Sequence, residues 1–138
     1  IPTIASQLIK RSKIIKLGTL SPKRDFNYVS DTCDALVKIA LANNVDGEVI
    51  NIGSNKEISI EEVLEKLIKI SGHRPEIHLD KNRIRPKNSE VFELIANNDK
   101  IKKLTDWMPK ISLSKGLEHT YNWIKNNPER FNTDELTK

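Results

Sequence analysis

An α/β fold follows from three features of this 138-residue chain. Short apolar runs with strand spacing alternate with longer runs of helical period, the pattern of a chain that packs helices on a sheet. The segment GEVINIGS at 47–54 holds a nearly continuous apolar run between two glycines, as a strand covered on both faces does. The segment ISIEEVLEKLIKISG at 58–72 carries both the start and the stop signals of an amphipathic helix.

The elements follow in order. From Pro2 to about Lys10 the apolar positions Ile4, Ala5, Leu8 and Ile9 recur at helical spacing, and Pro2 suits a first helical turn. Residues 14–17 read as a brief strand and residues 24–29 as another, placing Arg24, Phe26 and Tyr28 on one face, with a turn from Gly18 to Pro22 between them. Ser30 or Asp31 is expected to cap a helix whose inward stripe is Ala35, Leu36, Ile39 and Ala40 and which ends near Asn43 and Asn44. A strand at 48–52 comes next.

The helix after it has Ser59 and Glu62 as a capping box, Ile58 and Val63 as a hydrophobic staple, and Gly72 past its last turn. Its stripe Ile60, Val63, Leu64, Leu67 and Ile68 faces a core. Residues 76–79 form a short strand, and the polar, basic stretch at 80–90, broken by Pro86, reads as a loop. Helical patterns return at 98–105 and from Leu113 through Leu117, Tyr121 and Ile124. One domain over 1–126 with a polar, frayed tail at 127–138 is therefore expected.

Apolar residues make up 37% and charged residues 30%, which suffices for one core and leaves none to spare. No run approaches the ~20 apolar residues that span a bilayer. The lone Cys33 excludes an internal disulfide, fits a reducing, cytoplasmic setting, and reads as a small core residue on its helix. The net charge of +4 is spread along the chain, so neither nucleic acid nor a membrane is expected as partner, while two or three placed cations suffice for a small anionic ligand. The chain opens on Ile1 and enters an apolar run at once, the look of a piece of a longer polypeptide.

Few residues carry the pattern of a reactive site. There is no G-x-G-x-x-G, no P-loop and no metal-ligand spacing among His73, His78 and His119. No serine or cysteine is paired with an evident base, and Glu61, Glu62 and Glu65 belong to the capped helix. Two arginines remain. Arg24 follows a glycine- and proline-bearing turn, where its guanidinium either forks onto phosphate oxygens beside an apolar wall from Phe26 or pairs locally with Asp25. Arg85 sits in NRIRPKNSEV, with Arg83 upstream and Pro86 stiffening the loop, and is either an anion contact or part of a solvated basic loop. Glu90 either accepts from a sugar hydroxyl or pairs with a lysine.

Four linked segments then give a resemblance. LGTLSPKRDFNYVSDTCDAL, GEVINIGS before a capped helix, RIRPKNSEVFELIANNDKIKKLTDWMP and SLSKGLEHTYNWI together resemble the C-terminal, substrate-binding portion of the extended short-chain dehydrogenase/reductases, the group of NAD-dependent nucleotide-sugar epimerases and dehydratases. The likeness runs from Ile1 to about Lys125, in the family's order. It is closest to the 4,6-dehydratases of nucleotide-activated N-acetylglucosamine, a legionaminic-type sugar pathway, with UDP-glucose 4-epimerases next.

The resemblance implies an extended Rossmann-type fold lacking its N-terminal dinucleotide-binding unit, with the strand at 48–52 completing that unit's sheet. It implies that Arg24 and Arg85 converge on one diphosphate, that Phe26 packs near the nucleotide and that Glu90 meets the ribose. Asp31 is expected to cap its helix instead. The implied cofactor is NAD, bound by the missing unit, the implied ligand a nucleotide-diphosphate sugar, and the implied whole protein a homodimer. Asp106 stands where relatives place a glycine of positive φ, and Asn97 where they often place aspartate. The Tyr-x-x-x-Lys pair of hydride chemistry has no counterpart: Tyr28 lacks the lysine, and Tyr121 with Lys125 lies on a terminal helix where tyrosine reads as core. This chain alone is thus expected to be inactive. A freestanding anion-binding module is the alternative from outside enzymology.

Overall fold

The computed structural model describes residues 1–83 and 91–131. They divide into two compact units, one built from the described residues within 1–22, 59–83, 91–92 and 114–131 and the other from 23–58 and 93–113. Short strands and helices are mixed in both, the α/β class expected.

The first unit opens with helix α1 (Pro2–Ile9), whose Pro2 occupies the first turn, where a missing N–H costs nothing. Strand β1 (Ile14–Leu17) alternates, with Ile15 and Leu17 buried and Ile14 and Lys16 turned out. It pairs in parallel with β4 (Glu76–Leu79), Ile15 opposite Ile77. The Gln7 side-chain amide closes on β1: Lys16 N–H donates to Gln7 Oε1 at 2.9 Å and Gln7 Nε2 donates to the Lys16 carbonyl at 3.3 Å. That satisfies strand backbone groups that would otherwise stand unpaired.

Helix α3 (Ile60–Ser71) forms as its local signals dictate. Glu62 N–H donates to Ser59 Oγ and Ser59 N–H to Glu62 Oε2, and Gly72 ends the helix at φ 62°. Val63, Leu64, Leu67 and Ile68 are buried, together with Ile4, Ala5 and Leu8 of α1 and Leu117, Tyr121 and Ile124 of α5 (Leu113–Asn126). Burying Leu67 or Leu117 fully is worth about 2 kcal/mol each. After α5, Pro128–Arg130 forms a 3-10 turn and the Phe131 ring meets Trp123 edge-on at 5.5 Å, while the rest of the expected tail lies outside the described residues.

In the second unit, β2 (Lys23–Asp25) lies between β3 (Glu57–Ser59) and β5 (Glu93–Leu94). β2 and β5 run parallel, with Arg24 opposite Leu94. The strand expected over 24–29 stops at Asp25, because the N-terminal turn of α2 (Val29–Leu41) begins early. The Tyr28 carbonyl accepts from Asp31 and Thr32, and Asn27 Nδ2 donates to Thr32 Oγ1 at 2.8 Å.

The core of this unit is Ala35, Ile101 and Trp107, with Ile39, Ile50 and Ile52 packed on it. Ile101 belongs to α4 (Asp99–Thr105), which ends on Asp106 at φ 52°, the left-handed position expected there. Asn97 Oδ1 accepts from Asp99 N–H at 2.9 Å, so the amide serves at the helix start.

Several expectations for α2 are corrected. Leu36 and Ala40 are exposed, and Cys33 lies on the surface. Residues 48–52 pair with no strand among the described residues. Their burial alternates instead, Ile50 and Ile52 half-buried on the core and Val49 81% exposed. With Val29, Val37 and Leu41 also exposed, this unit presents apolar side chains that its own residues do not cover.

Candidate functional site

Arg24 and Phe26 flank the end of β2 and both are half-buried. The Arg24 Nη1 donates to the Lys23 carbonyl at 2.7 Å. Lys23 is itself the centre of a ladder across the three strands, its Nζ 2.7 Å from Glu57 Oε1 and 3.4 Å from Glu93 Oε1. The hydrogen bond to Glu57 and then the one to Glu93 raise its pKa, so it stays charged throughout the neutral range. β2 is therefore held by strand pairing and by the Lys23 ion pairs together.

Asp25 has a separate role, which the sequence reading did not assign. Its Oδ1 accepts from Ser54 N–H at 2.9 Å and from Ser54 Oγ at 2.5 Å, and its Oδ2 accepts from Asn55 N–H at 2.9 Å and Ala96 N–H at 3.3 Å. Four donors fill the acceptor capacity of a carboxylate. Asp25 is thus a structural acceptor, with no lone pair left for proton transfer.

Gly53 makes this possible, because a Cβ there would lie 2.5 Å from Ala96 Cβ and 2.8 Å from Asp25 Oδ2. The Gly53 carbonyl accepts from Asn98 Nδ2 at 2.8 Å, and Asn98 is 1% exposed. The signals were present, a Gly-Ser pair after an apolar run and a second Asn beside Asn97, but each names its partner only in three dimensions. A cleft of about 300 Å³ adjoins the cluster, lined by Asp25, Asn51, Ile52, Leu94, Ile95 and Ala96.

Arg85 and Glu90 lie outside the described residues. Arg83, the cation just upstream, is committed to Asp80: Arg83 Nε donates to Asp80 Oδ2 at 3.2 Å. Asp31, expected as a helix cap, is 4% exposed and its Oδ2 accepts from Lys110 N–H at 3.1 Å and Ile111 N–H at 2.9 Å. It ties α2 to the segment after α4, while Tyr28 starts the helix without a side-chain cap. His73 Nε2 lies 2.9 Å from the Ser12 carbonyl and His78 pairs with Glu76.

The turn after β1 does not fit a dinucleotide's phosphates. Gly18, the glycine that follows a strand, has its open side against the Arg83 backbone, whose carbonyl oxygen is 2.6 Å from where a Cβ would be. A phosphate has no room there, and the next element is the strand β2, the helix α2 following only after it.

Comparisons with known proteins bear on the family and the fold. The family model described as GDP-mannose 4,6 dehydratase matches residues 1–120. The UDP-glucuronate 4-epimerase of Thermodesulfobacterium geofontis is 34% identical over 123 residues, 88% of this chain and 36% of that protein. The crystal structure of UDP-glucuronic acid 4-epimerase from Bacillus cereus in complex with UDP-glucuronic acid and NAD is similar at TM-score 0.79 and 30% identity, over 90% of this chain and 38% of that one. dTDP-glucose 4,6-dehydratase from Bacillus anthracis in complex with NAD gives TM-score 0.79 at 29% identity, over 93% and 39%. Epimerases and a dehydratase thus stand together among the relatives, and the chain spans less than two-fifths of the length of each of these three. By the family model over residues 1–120 and by the fold, this chain belongs to the GDP-mannose 4,6 dehydratase family, the NAD-dependent nucleotide-sugar epimerases and dehydratases.

Proposed function

We propose that this chain is the nucleotide-sugar-binding portion of an NAD-dependent nucleotide-sugar 4,6-dehydratase of the N-acetylglucosamine type. The observation that carries the reading is Arg24 on β2, half-buried and held at the mouth of a pinned strand, in a chain whose family model matches from residue 1 to 120. In this reading the Arg24 guanidinium forks onto the diphosphate and Phe26 packs on the nucleotide. Arg85 adds a second diphosphate contact and Glu90 a ribose contact, on sequence position alone. Binding energy from these groups, remote from the reacting carbons, would hold the sugar in place for reaction.

NAD is assigned to a dinucleotide-binding portion outside these 138 residues, and the whole protein to a cytoplasmic homodimer. The apolar side chains of Val29, Leu36, Val37, Leu41 and Val49, with the unpaired segment 48–52, support a second body covering this unit, and we assign them to that portion's sheet. A 4-epimerase is the second reading, favoured by the B. cereus and T. geofontis relatives.

A thermal-shift titration with UDP and with GDP tests the proposal on this chain. The transition should rise with nucleotide, and Arg24→Ala should weaken the apparent affinity by about tenfold, ~1.4 kcal/mol. Equal shifts for the two proteins would remove Arg24 from the site. NADH-linked turnover by this chain alone would contradict the assignment of the cofactor to another portion.

A further inference from the structure

We infer that Asp25 is a positioning residue whose carboxylate, latched by Ser54, Asn55 and Ala96, sets the direction in which Arg24 and Phe26 leave the chain. The inference rests on the reading of Arg24 and Phe26 as nucleotide contacts and deepens it. Successive side chains on a strand point to opposite faces. Within β2, fixing the Asp25 side chain on one face therefore fixes Arg24 on the other.

The fixing is unusually complete. Oδ1 and Oδ2 together accept four hydrogen bonds from two segments, 29 to 71 positions away in sequence. The first segment is itself held: Asn98 Nδ2 donates to the Gly53 carbonyl at 2.8 Å, and Ser54 Oγ accepts from Lys56 N–H at 3.2 Å. Two residues back on the same face, Lys23 reaches Glu57 of β3 on one side and Glu93 of β5 on the other. A one-oxygen acceptor at 25 can serve only one side of this latch. The C-terminal end of β2 would then be held by its ladder pairing and the Lys23 ion pairs without the full latch, and a guanidinium at 24 loses aim even though its own atoms are intact.

The same arrangement gives the acid that adjoins the arginine in R-D-F a task of its own, since four backbone and hydroxyl donors meet its carboxylate. Arg24 and Asp25 act as neighbours with divided tasks, one directed to a ligand and one to the scaffold.

The test is a double-mutant cycle on the isotope-labelled chain, titrated with UDP and with GDP and followed by amide chemical shifts. Asp25→Asn, with a dispersed native spectrum, should weaken binding by about tenfold, Ser54→Ala by about threefold, and Arg24→Ala/Asp25→Asn no more than Arg24→Ala alone. Wild-type affinity in folded Asp25→Asn, or losses that simply add in the double variant, would overturn the latch while leaving Arg24 in the site. An Arg24→Ala chain that binds like the unsubstituted one, or an unsubstituted chain that gives no response to either nucleotide, overturns the nucleotide reading and the inference with it. If Asp25→Asn gives a collapsed spectrum, Ser54→Ala decides by the same criteria, since it removes one donor and keeps the carboxylate.

Discussion

Trp107 and Asp31 are joined by a buried hydrogen bond, the indole Nε1 donating to the Asp31 carbonyl at 3.0 Å. The same aspartate accepts from Lys110 and Ile111 through Oδ2, so one residue in the first turn of α2 gathers both ends of the segment 107–111. The indole is 0% exposed and stands in the core with Ala35 and Ile101. An aromatic with a donor survives in a core only where that donor finds a partner.

Asp31→Ala should cost about 2–4 kcal/mol, because it strands two backbone donors in a nearly closed site. A simple helix cap would cost ~1 kcal/mol. Urea unfolding of the two chains separates these values, and Asp31→Asn, which keeps one acceptor, should fall between them.

Trp107→Phe removes the Nε1 donor and part of the ring, leaving the Asp31 carbonyl short of one partner. A loss of about 2–3 kcal/mol is expected from the cavity and the lost bond together. A change below about 0.5 kcal/mol would mean that the core closes over the gap.

Gly53→Ala forces a methyl against Ala96 and the Asp25 carboxylate, and should destabilise by about 1–3 kcal/mol. Amide exchange at Ser54 and Asn55 should quicken, since their N–H groups donate to the displaced carboxylate. Gly72→Ala is the contrasting case: no atom lies within 4 Å of its Cβ, and only the positive φ of 62° is strained, for about 1 kcal/mol.

Tyr121 makes the stability fall in alkali. Burial raises its phenol pKa above the ordinary 10.0, only partly opposed by the positive charge of Arg11. The unfolded chain ionises first as pH rises, so the phenol's stabilising contribution is whole below pH ~10 and declines as pH climbs toward the folded value. Tyr121→Phe should flatten that part of the stability–pH curve, measured by urea midpoints between pH 8 and 11. An unchanged alkaline slope would show that the phenol titrates alike in both states.

The relation of Asp25 to Arg24 illustrates what was legible and what was not. R-D-F drew attention to Arg24 and Phe26, and a local ion pair with Asp25 was one reading of the arginine. The structure gives Asp25 to Ser54, Asn55 and Ala96, residues that no local pattern connects to it. Likewise Asp31 reads as a cap from its neighbours and becomes a tether only when Lys110 and Ile111 are brought to it.

By itself the sequence determined the α/β class, the capped helix α3, the left-handed residues Gly72 and Asp106, and the core stripe through Leu117, Tyr121 and Ile124. The capped helix, Gly72 and the stripe depend on residues within about four positions of their neighbours, where spacing and side-chain chemistry suffice, while the α/β class came from the alternation of such runs along the chain and the Asp106 expectation from the family resemblance. Only the tertiary structure decided where β2 stops, that Cys33 is exposed, that Val49 turns outward while Ile50 and Ile52 face the core, and which donors fill Asp25. Those outcomes depend on partners tens of residues away, and a carboxylate or an apolar side chain carries no local mark of which distant surface will meet it.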